Sequence, residues 1–306
     1  MKTEQAILKV LVEPQIMQMR GLFTSEPGST EGQEEYFTTL GGKRQRITAR
    51  YKFPMGALGS YEQEIWWALE SLIGEHIQSR SMNESNRSFK TSLLEIRSRM
   101  AGGAYNGSKT KRMREALKKL AHTIITISLF WDKKDKVARK WVTFPLLSMV
   151  ACDSKGGRNT VEIELSRPVF RNFKSKYYYV IDHTMLMGLK TSIGRRLYER
   201  LARHFWATRN KEDDSIQYRY LELAKMIGFA PQSNRYRAVK RLEKAHKELV
   251  DFEVLDYEPD IETNEFTSER GNWMIHYTPG DKAFMGRTEY LQKMRDKKEE
   301  EGSDGE

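Results

Sequence analysis

The stretch Thr91 to Ile127, TSLLEIRSRMAGGAYNGSKTKRMREALKKLAHTIITI, decides the fold. A helix opens at Thr91 or Ser92, with Glu95 placed for a capping box. It carries Leu93, Leu94, Ile96 and Met100. Gly102 and Gly103 end it and open a polar turn. A further helix runs from Ser108 to about Ala121. Thr123 to Phe130 is β-branched and aromatic and reads as a strand. Upstream, Ile65, Leu69, Leu72, Ile73 and Ile77 recur at helical spacing, so Tyr61 to Arg80 is the first of three helices. Downstream, Trp131 to Lys140 is a charged hairpin tip and Trp141 to Val150 the returning strand. Val161 to Leu165 alternates and is a third strand candidate. The order helix, helix, turn, helix, strand, hairpin loop, strand describes a winged helix-turn-helix.

The same order returns later without the same residues. Ile193, Leu197, Leu201 and Phe205 place a helix that begins near Ser192. Leu221, Leu223, Ala224 and Ile227 mark a short second helix ending at Gly228. A turn with Pro231 leads to a third helix, Ser233 to Leu249. Phe252 to Tyr257 reads as a strand, Pro259 to Gly271 as a polar hairpin loop and Trp273 to Tyr277 as the partner strand. The expected class is α+β, with two tandem winged helix-turn-helix domains over residues 36–172 and 177–280, joined near Phe173 to Lys176. Residues 1–35 read as a flexible lead-in, with a Pro27-Gly28 turn. Residues 281–306 read as a charged tail.

Both third helices separate apolar from basic residues. In the first, Met113, Ala116, Leu117 and Leu120 form a core face. Lys111, Arg112, Arg114, Lys118 and Lys119 lie away from it, and Lys109 sits in the first turn. The only acid is Glu115, so the helix cannot balance its own charge. In the second, Ala238, Leu242, Ala245 and Leu249 face the core. Arg237, Lys240, Arg241, Lys244 and Lys247 point away, and Asn234 and Arg235 stand in the first turn. Arg suits guanine edges and Asn suits adenine, while phosphates neutralise the remaining cations. A solvated basic face is the alternative for either helix alone. Two such helices in the same slot favour DNA. The first hairpin tip holds Lys133, Lys134, Lys136, Arg139 and Lys140 against Asp132 and Asp135, which suits a DNA backbone or a minor groove. The second holds Asp260, Glu262, Glu265 and Glu269 against Arg270, the wrong sign for phosphate, so it is not expected to be a major DNA contact and is free to face a protein partner instead.

Length and charge agree with this reading. The chain has 306 residues, 39% hydrophobic and 31% charged, with a formal net charge of +10. That composition supports real cores and an anionic partner. Cys152 is the only cysteine, which excludes intrachain disulfides and cysteine-cluster zinc sites. No apolar run approaches the ~20 residues of a membrane span, and the N-terminus lacks the features of a secretory signal. A cytoplasmic, membrane-free protein without a cofactor is expected. Gly102 to Thr110 imitates a phosphate loop, but Ser108 stands where that motif needs Lys, and a helix precedes it instead of a strand. His76, His122, His183, His204, His246 and His276 form no metal-binding pair, which argues against a nicking enzyme. Tyr177, Tyr178 and Tyr179 read as packing residues, as do Trp66 and Trp67.

Two stretches resemble plasmid replication initiators of the replication initiator protein A type. Thr91 to Ile127 is similar to their first winged-helix domain. YVIDHTMLMGLKTSIGRRLYERLARHF, Tyr179 to Phe205, with the later helix pair, is similar to the second. The likeness spans Tyr36 to Tyr277. It is carried by the order Gly-Gly, basic third helix, β-branched strand, then a Ser-x-x-Arg-Arg-Leu-Tyr helix (Ser192 to Tyr198). The resemblance implies binding to double-stranded origin repeats and recruitment of host helicase and initiator proteins, with no nucleotide hydrolysis. It also implies exchange between a repressing homodimer and an initiating monomer. Its DNA-contact slots fall on Lys109, Lys111, Arg112 and Arg114, and on Asn234, Arg235, Arg237 and Arg241. A winged-helix transcriptional regulator without initiator activity has the same sequence features and stays open as the alternative.

Overall fold

The computed structural model describes residues 9–12, 22–23, 29–40, 43–79, 82–101, 108–132, 135–153, 159–175, 179–208, 215–232, 234–259, 261–262 and 273–284. The chain divides into two compact units, Val10–Tyr179 and Val180–Glu306, the latter together with Met1–Lys9. A short strand, β1 (Lys9–Val12), comes first in chain order.

The first unit is built on two antiparallel sheets. One has the order β2-β3-β5-β6, from β2 (Glu31–Leu40), β3 (Lys43–Lys52), β5 (Ile124–Asp132) and β6 (Val137–Pro145). Alternation buries Ile47, Ala49 and Tyr51 of β3 and Ile125, Ile127 and Phe130 of β5. The other sheet has the order β4-β8-β7, from β4 (Ser88–Ser92), β8 (Thr160–Leu165) and β7 (Leu147–Asp153). Helix α1 (Ser60–Gln78) buries Ile65, Trp66, Trp67, Leu69, Leu72 and Ile73, so both tryptophans are core residues. Helix α2 (Leu93–Ser98) starts where the capping pattern put it. The Ser92 hydroxyl accepts the Glu95 N–H at 3.0 Å. Helix α3 (Ser108–His122) follows and buries Met113, Ala116, Leu117 and Leu120.

Several boundaries differ from the sequence reading. Strand β2 begins at Glu31, inside the stretch read as a lead-in, because it pairs with β3 along its whole length. The returning strand expected over Trp141 to Val150 is two strands. They separate at Leu146, which is fully buried and donates its N–H to the Thr123 carbonyl at 3.0 Å. This break sends β6 into the larger sheet and β7 into the smaller. The wing of the first unit is therefore β7–β8, and β5–β6 is an added hairpin. A fourth helix, α4 (Arg167–Lys174), occupies much of the expected joint. Pro168 fits its first turn, and Val169, Phe170 and Phe173 are buried.

The second unit contains β9 (Tyr179–Asp182), α5 (His183–Gly188), α6 (Ser192–Thr208), β10 (Ile216–Arg219), α7 (Tyr220–Ile227), α8 (Arg235–Asp251), β11 (Ile261–Glu262) and β12 (Met274–Tyr277). Its three-stranded sheet has the order β10-β12-β11. Residues 252–257 do not form the expected strand. Gly280 lies so close to this segment that a Cβ there would sit 2.5 Å from the Glu253 carbonyl oxygen. The contact amounts to an isolated antiparallel bridge between Leu255 and Pro279, with Gly280 N–H to Val254 O at 2.9 Å and Asp256 N–H to Thr278 O at 3.2 Å, and Ile261–Glu262 pairs with β12 instead.

The two units repeat one plan on these corrected elements. In α1-β4-α2-α3-β7-β8 and α6-β10-α7-α8-β11-β12, the first strand is at an edge and the last lies centrally. The fold is α+β with two tandem winged helix-turn-helix units.

Helix α8 packs on α6 at a glycine. A Cβ on Gly194 would meet Thr191 Oγ1 at 2.7 Å and Glu248 Oε2 at 3.0 Å. Gly194→Ala is expected to destabilise the second unit by about 1–3 kcal/mol through overpacking. Thermal unfolding checks this, and an unchanged midpoint would contradict the packing.

Candidate nucleic-acid interface

The helix-turn-helix of the second unit is fixed from several directions. Helix α7 ends at Gly228 in the left-handed region, φ 65°, which glycine adopts without a Cβ penalty. Arg196 of α6 donates to the Ile227 carbonyl at 3.1 Å and the Gly228 carbonyl at 3.3 Å, closing the C-terminus of α7. The Tyr220 hydroxyl accepts the Gln232 N–H at 3.0 Å across the turn. The Asn234 side chain then caps α8, its oxygen accepting the Arg237 N–H at 3.3 Å. Further along α8, Glu248 accepts the Thr191 N–H at 3.1 Å and its hydroxyl at 2.8 Å. His246 Nε2 hydrogen bonds the Tyr277 hydroxyl of β12 at 3.0 Å.

What remains of α8 is a solvent face. Ala238, Leu242, Ala245 and Leu249 are buried as expected. Arg235, Arg237, Lys240, Arg241, Lys244 and Lys247 are exposed. Lys240 pairs with Glu243 at 2.9 Å. Among the described residues, Arg237, Arg241, Lys244 and Lys247 have no carboxylate within ion-pair reach. Asn234 differs from its expected use. Its carbonyl oxygen serves the cap, so the two-bond pairing with adenine is not open to it while the cap holds.

Helix α3 of the first unit is less open than its sequence suggests. Its cations do not share one unbalanced face. They divide around the core stripe because positions seven apart share one side and positions four apart another. On the α1 side, the Arg112 guanidinium lies 4.0 Å from the Tyr61 ring centroid, and Lys119 pairs with Glu62 at 3.5 Å. On the sheet side, Arg114 donates to Asn159 Oδ1 at 2.6 Å. Lys118 pairs with Glu115 at 3.0 Å. Lys111, Arg112 and Lys118 are exposed. Lys109 belongs to the first turn of α3, and its side chain lies outside the described residues.

The β5–β6 hairpin is also tied back. Arg171 of α4 pairs with Asp132 at 2.9 Å and Asp135 at 2.6 Å, and Arg139 engages the same two carboxylates. Arg171 and Arg139 hold the Asp135 carboxyl below its ordinary range. Lys133 and Lys134 lie outside the described residues, as do Gly102 to Gly107, Tyr177, Tyr178, Asp260, Glu265, Glu269 and Arg270. Among the described residues no group of His, Cys, Asp and Glu could hold a metal ion, and no helix is long and apolar enough to cross a membrane.

Sequence reading passed over the residues that position α8. Thr191 carried a signal, a hydroxyl directly before a helical repeat. Arg196 was visible only as part of the Ser192 to Tyr198 pattern, without a role, and Glu248 carried no signal, since charged residues at exposed-looking helix positions read as solvent-facing.

Two units of this plan, each with a basic third helix, define a tandem winged-helix protein. The family model of replication initiator protein A matches residues 18–254, and the chain belongs to that family. A comparison with curated proteins found no match. Among solved structures, domains 2 and 3 of RctB are similar with a TM-score of 0.56 at 11% identity. That match covers 86% of this chain and 98% of that one. The Pi initiator protein, solved in complex with iteron DNA, is similar with a TM-score of 0.53 at 12% identity. It covers 90% of this chain and 99% of that one. At these identities the likeness is one of fold.

Burial has a pH consequence. It pushes the His246 imidazole down to about 3. Burial, with Arg203 and Arg200 adding to it, pushes His204 down to about 4. An unfolded chain protonates its histidines near ~6.5. Below that pH the unfolded state binds protons that the native state refuses, so stability falls with pH. The loss accumulates between about 6.5 and the folded values. Denaturation midpoints across this range should fall for the wild type, and less steeply for His246→Gln. Equal slopes would contradict the buried neutral imidazole.

Proposed function

We propose that this chain is a sequence-specific double-stranded DNA-binding protein that initiates plasmid replication at repeated origin sites. Membership of an initiator family supports the role. The observation that carries it is the outer face of α8, where Arg237, Arg241, Lys244 and Lys247 are exposed without carboxylate partners among the described residues. A face of this kind gains energy when phosphates replace condensed counterions. The N-terminal turns of a third helix are the part that reaches base edges in the major groove. Arg235, Arg237 and Arg241 are the proposed base contacts, with Lys240 and Lys244 on phosphates and Asn234 contributing its amide N–H groups. In the first unit, Lys109, Lys111, Arg112, Arg114, Lys118 and Lys119 are proposed as mainly phosphate-directed, along with Lys133 and Lys134.

The Pi initiator protein, similar in fold, was solved in complex with iteron DNA, which supports reading DNA as the partner. The proposed role includes recruitment of host helicase and initiator proteins, exchange between homodimer and monomer, action in the cytoplasm and the absence of catalysis.

Footprinting on DNA that flanks the gene, at two salt concentrations, tests the proposal. Evenly spaced direct repeats should be protected. A single protected palindrome would instead make the chain a transcriptional regulator. Arg237→Ala or Arg241→Ala should cost about 1–3 kcal/mol and relax discrimination at one base pair. Undiminished discrimination in both variants would remove α8 from the reading role.

A further inference from the structure

Two residues of α8 have no explanation in the fold. Tyr236 is 69% exposed and Val239 36%. A helix that packs on a core keeps its large apolar residues on the buried stripe. At about 100° per residue, Tyr236 lies nearly opposite the stripe of Ala238, Leu242, Ala245 and Leu249. Val239, three positions on, lies about 60° round the helix from Tyr236, on the flank between the stripe and the outer side. Neither residue favours the helix itself, since aromatic and β-branched side chains lose rotamer freedom there. Both belong to the first two turns, and Arg235, Arg237, Lys240 and Arg241 are exposed beside them. The Lys240 ammonium lies 5.9 Å from the Tyr236 ring centroid. An exposed apolar pair inside a ring of cations suits a partner that offers apolar groups between rows of negative charge.

We propose that Tyr236 and Val239 form an apolar patch that reads thymine C5-methyl groups in the major groove. The inference rests on the reading of α8 as the DNA-contacting helix, and deepens it. Among the major-groove edges of the four base pairs, the thymine methyl is the apolar feature. A side chain that meets it removes both from water. The arginines alongside select guanine by hydrogen bonding, so the patch gives the same helix a second, independent criterion. The Lys240–Glu243 pair stands one turn further on, on the outer side of the helix.

Deoxyuridine substitution tests this directly. Replacing one thymine of the footprinted site with deoxyuridine removes the methyl and keeps pairing, charge and hydrogen-bond groups. With the full chain, one or two such positions should weaken binding about four-fold each, the worth of one buried methyl. Val239→Ala and Tyr236→Ala should bind thymine and deoxyuridine duplexes equally at those positions. Val239→Thr, which keeps the shape, should lose part of the ratio. A protected site whose every thymine tolerates deoxyuridine would overturn the patch and leave α8 as the reader. Variants that retain the full thymine preference would do the same. Absence of any preferred site would overturn both readings together.

Discussion

Everything exposed on α8 depends on how its other side is held. The helix meets α6 where Gly194 has no side chain, and Glu248 reaches Thr191 there. Thr191 supplies two hydrogen bonds to Glu248 Oε2, which offset part of the cost of burying the side chain. The same Thr191 hydroxyl accepts the Gly194 N–H at 3.0 Å, capping the start of α6. One junction thus fixes the start of α6 and the rotation of α8 about its axis. With that rotation set, the apolar stripe is spent on the core and the cationic side must face outward. The residues Ser192 to Tyr198, which carry the family resemblance, act within this scaffold. Gly194 permits the approach, Arg196 closes α7, and Leu197 and Tyr198 are buried.

The two third helices use similar residues to different effect. On α3, Arg112 lies over Tyr61, Arg114 is bonded to Asn159, and Lys118 and Lys119 have acidic neighbours. Exposed pairs such as Lys118 with Glu115 are worth little, about 0–1 kcal/mol, and yield readily to a phosphate. Arg114 and Lys119 are more enclosed, so DNA would compete with existing partners. On α8, Lys240 pairs with Glu243, while Arg237, Arg241, Lys244 and Lys247 have no carboxylate partner among the described residues. Under the proposed function the work is divided: α8 would discriminate between bases, and α3 would add backbone attraction that varies little with sequence.

Much of this fold is legible in the sequence where a pattern is long and repetitive. The apolar stripes of α1, α3, α6 and α8 stand out at their proper spacing, and Ser92 with Glu95 marks a cap that forms. Short strands escape notice. SFKTS and IQYR have four or five residues and no apolar run, yet β4 and β10 complete the two small sheets. The wing of the first unit is assigned to the wrong hairpin from sequence because Trp141 to Val150 looks continuous. Only burial of Leu146 divides it between two sheets. Charge placement is the hardest to read. Composition shows that α3 is basic, but its partners Tyr61, Glu62 and Asn159 come from distant positions in the chain.

The measurement that bears most directly on this division is the salt dependence of affinity for the protected site. The wild type should be compared with a chain carrying Arg237→Ala, Arg241→Ala and Lys244→Ala, and with one carrying Lys118→Ala and Lys119→Ala. Removing one cation that neutralises a phosphate lowers the slope of log K against log salt by about 0.9. With Lys244 on a phosphate and Arg237 and Arg241 on bases, the α8 triple variant should lower the slope by about one and lose discrimination between sites, while the α3 pair should lower it by about two and keep discrimination. Lost discrimination in the α3 pair, with discrimination kept in the α8 triple variant, would contradict it and would place base reading in the first unit.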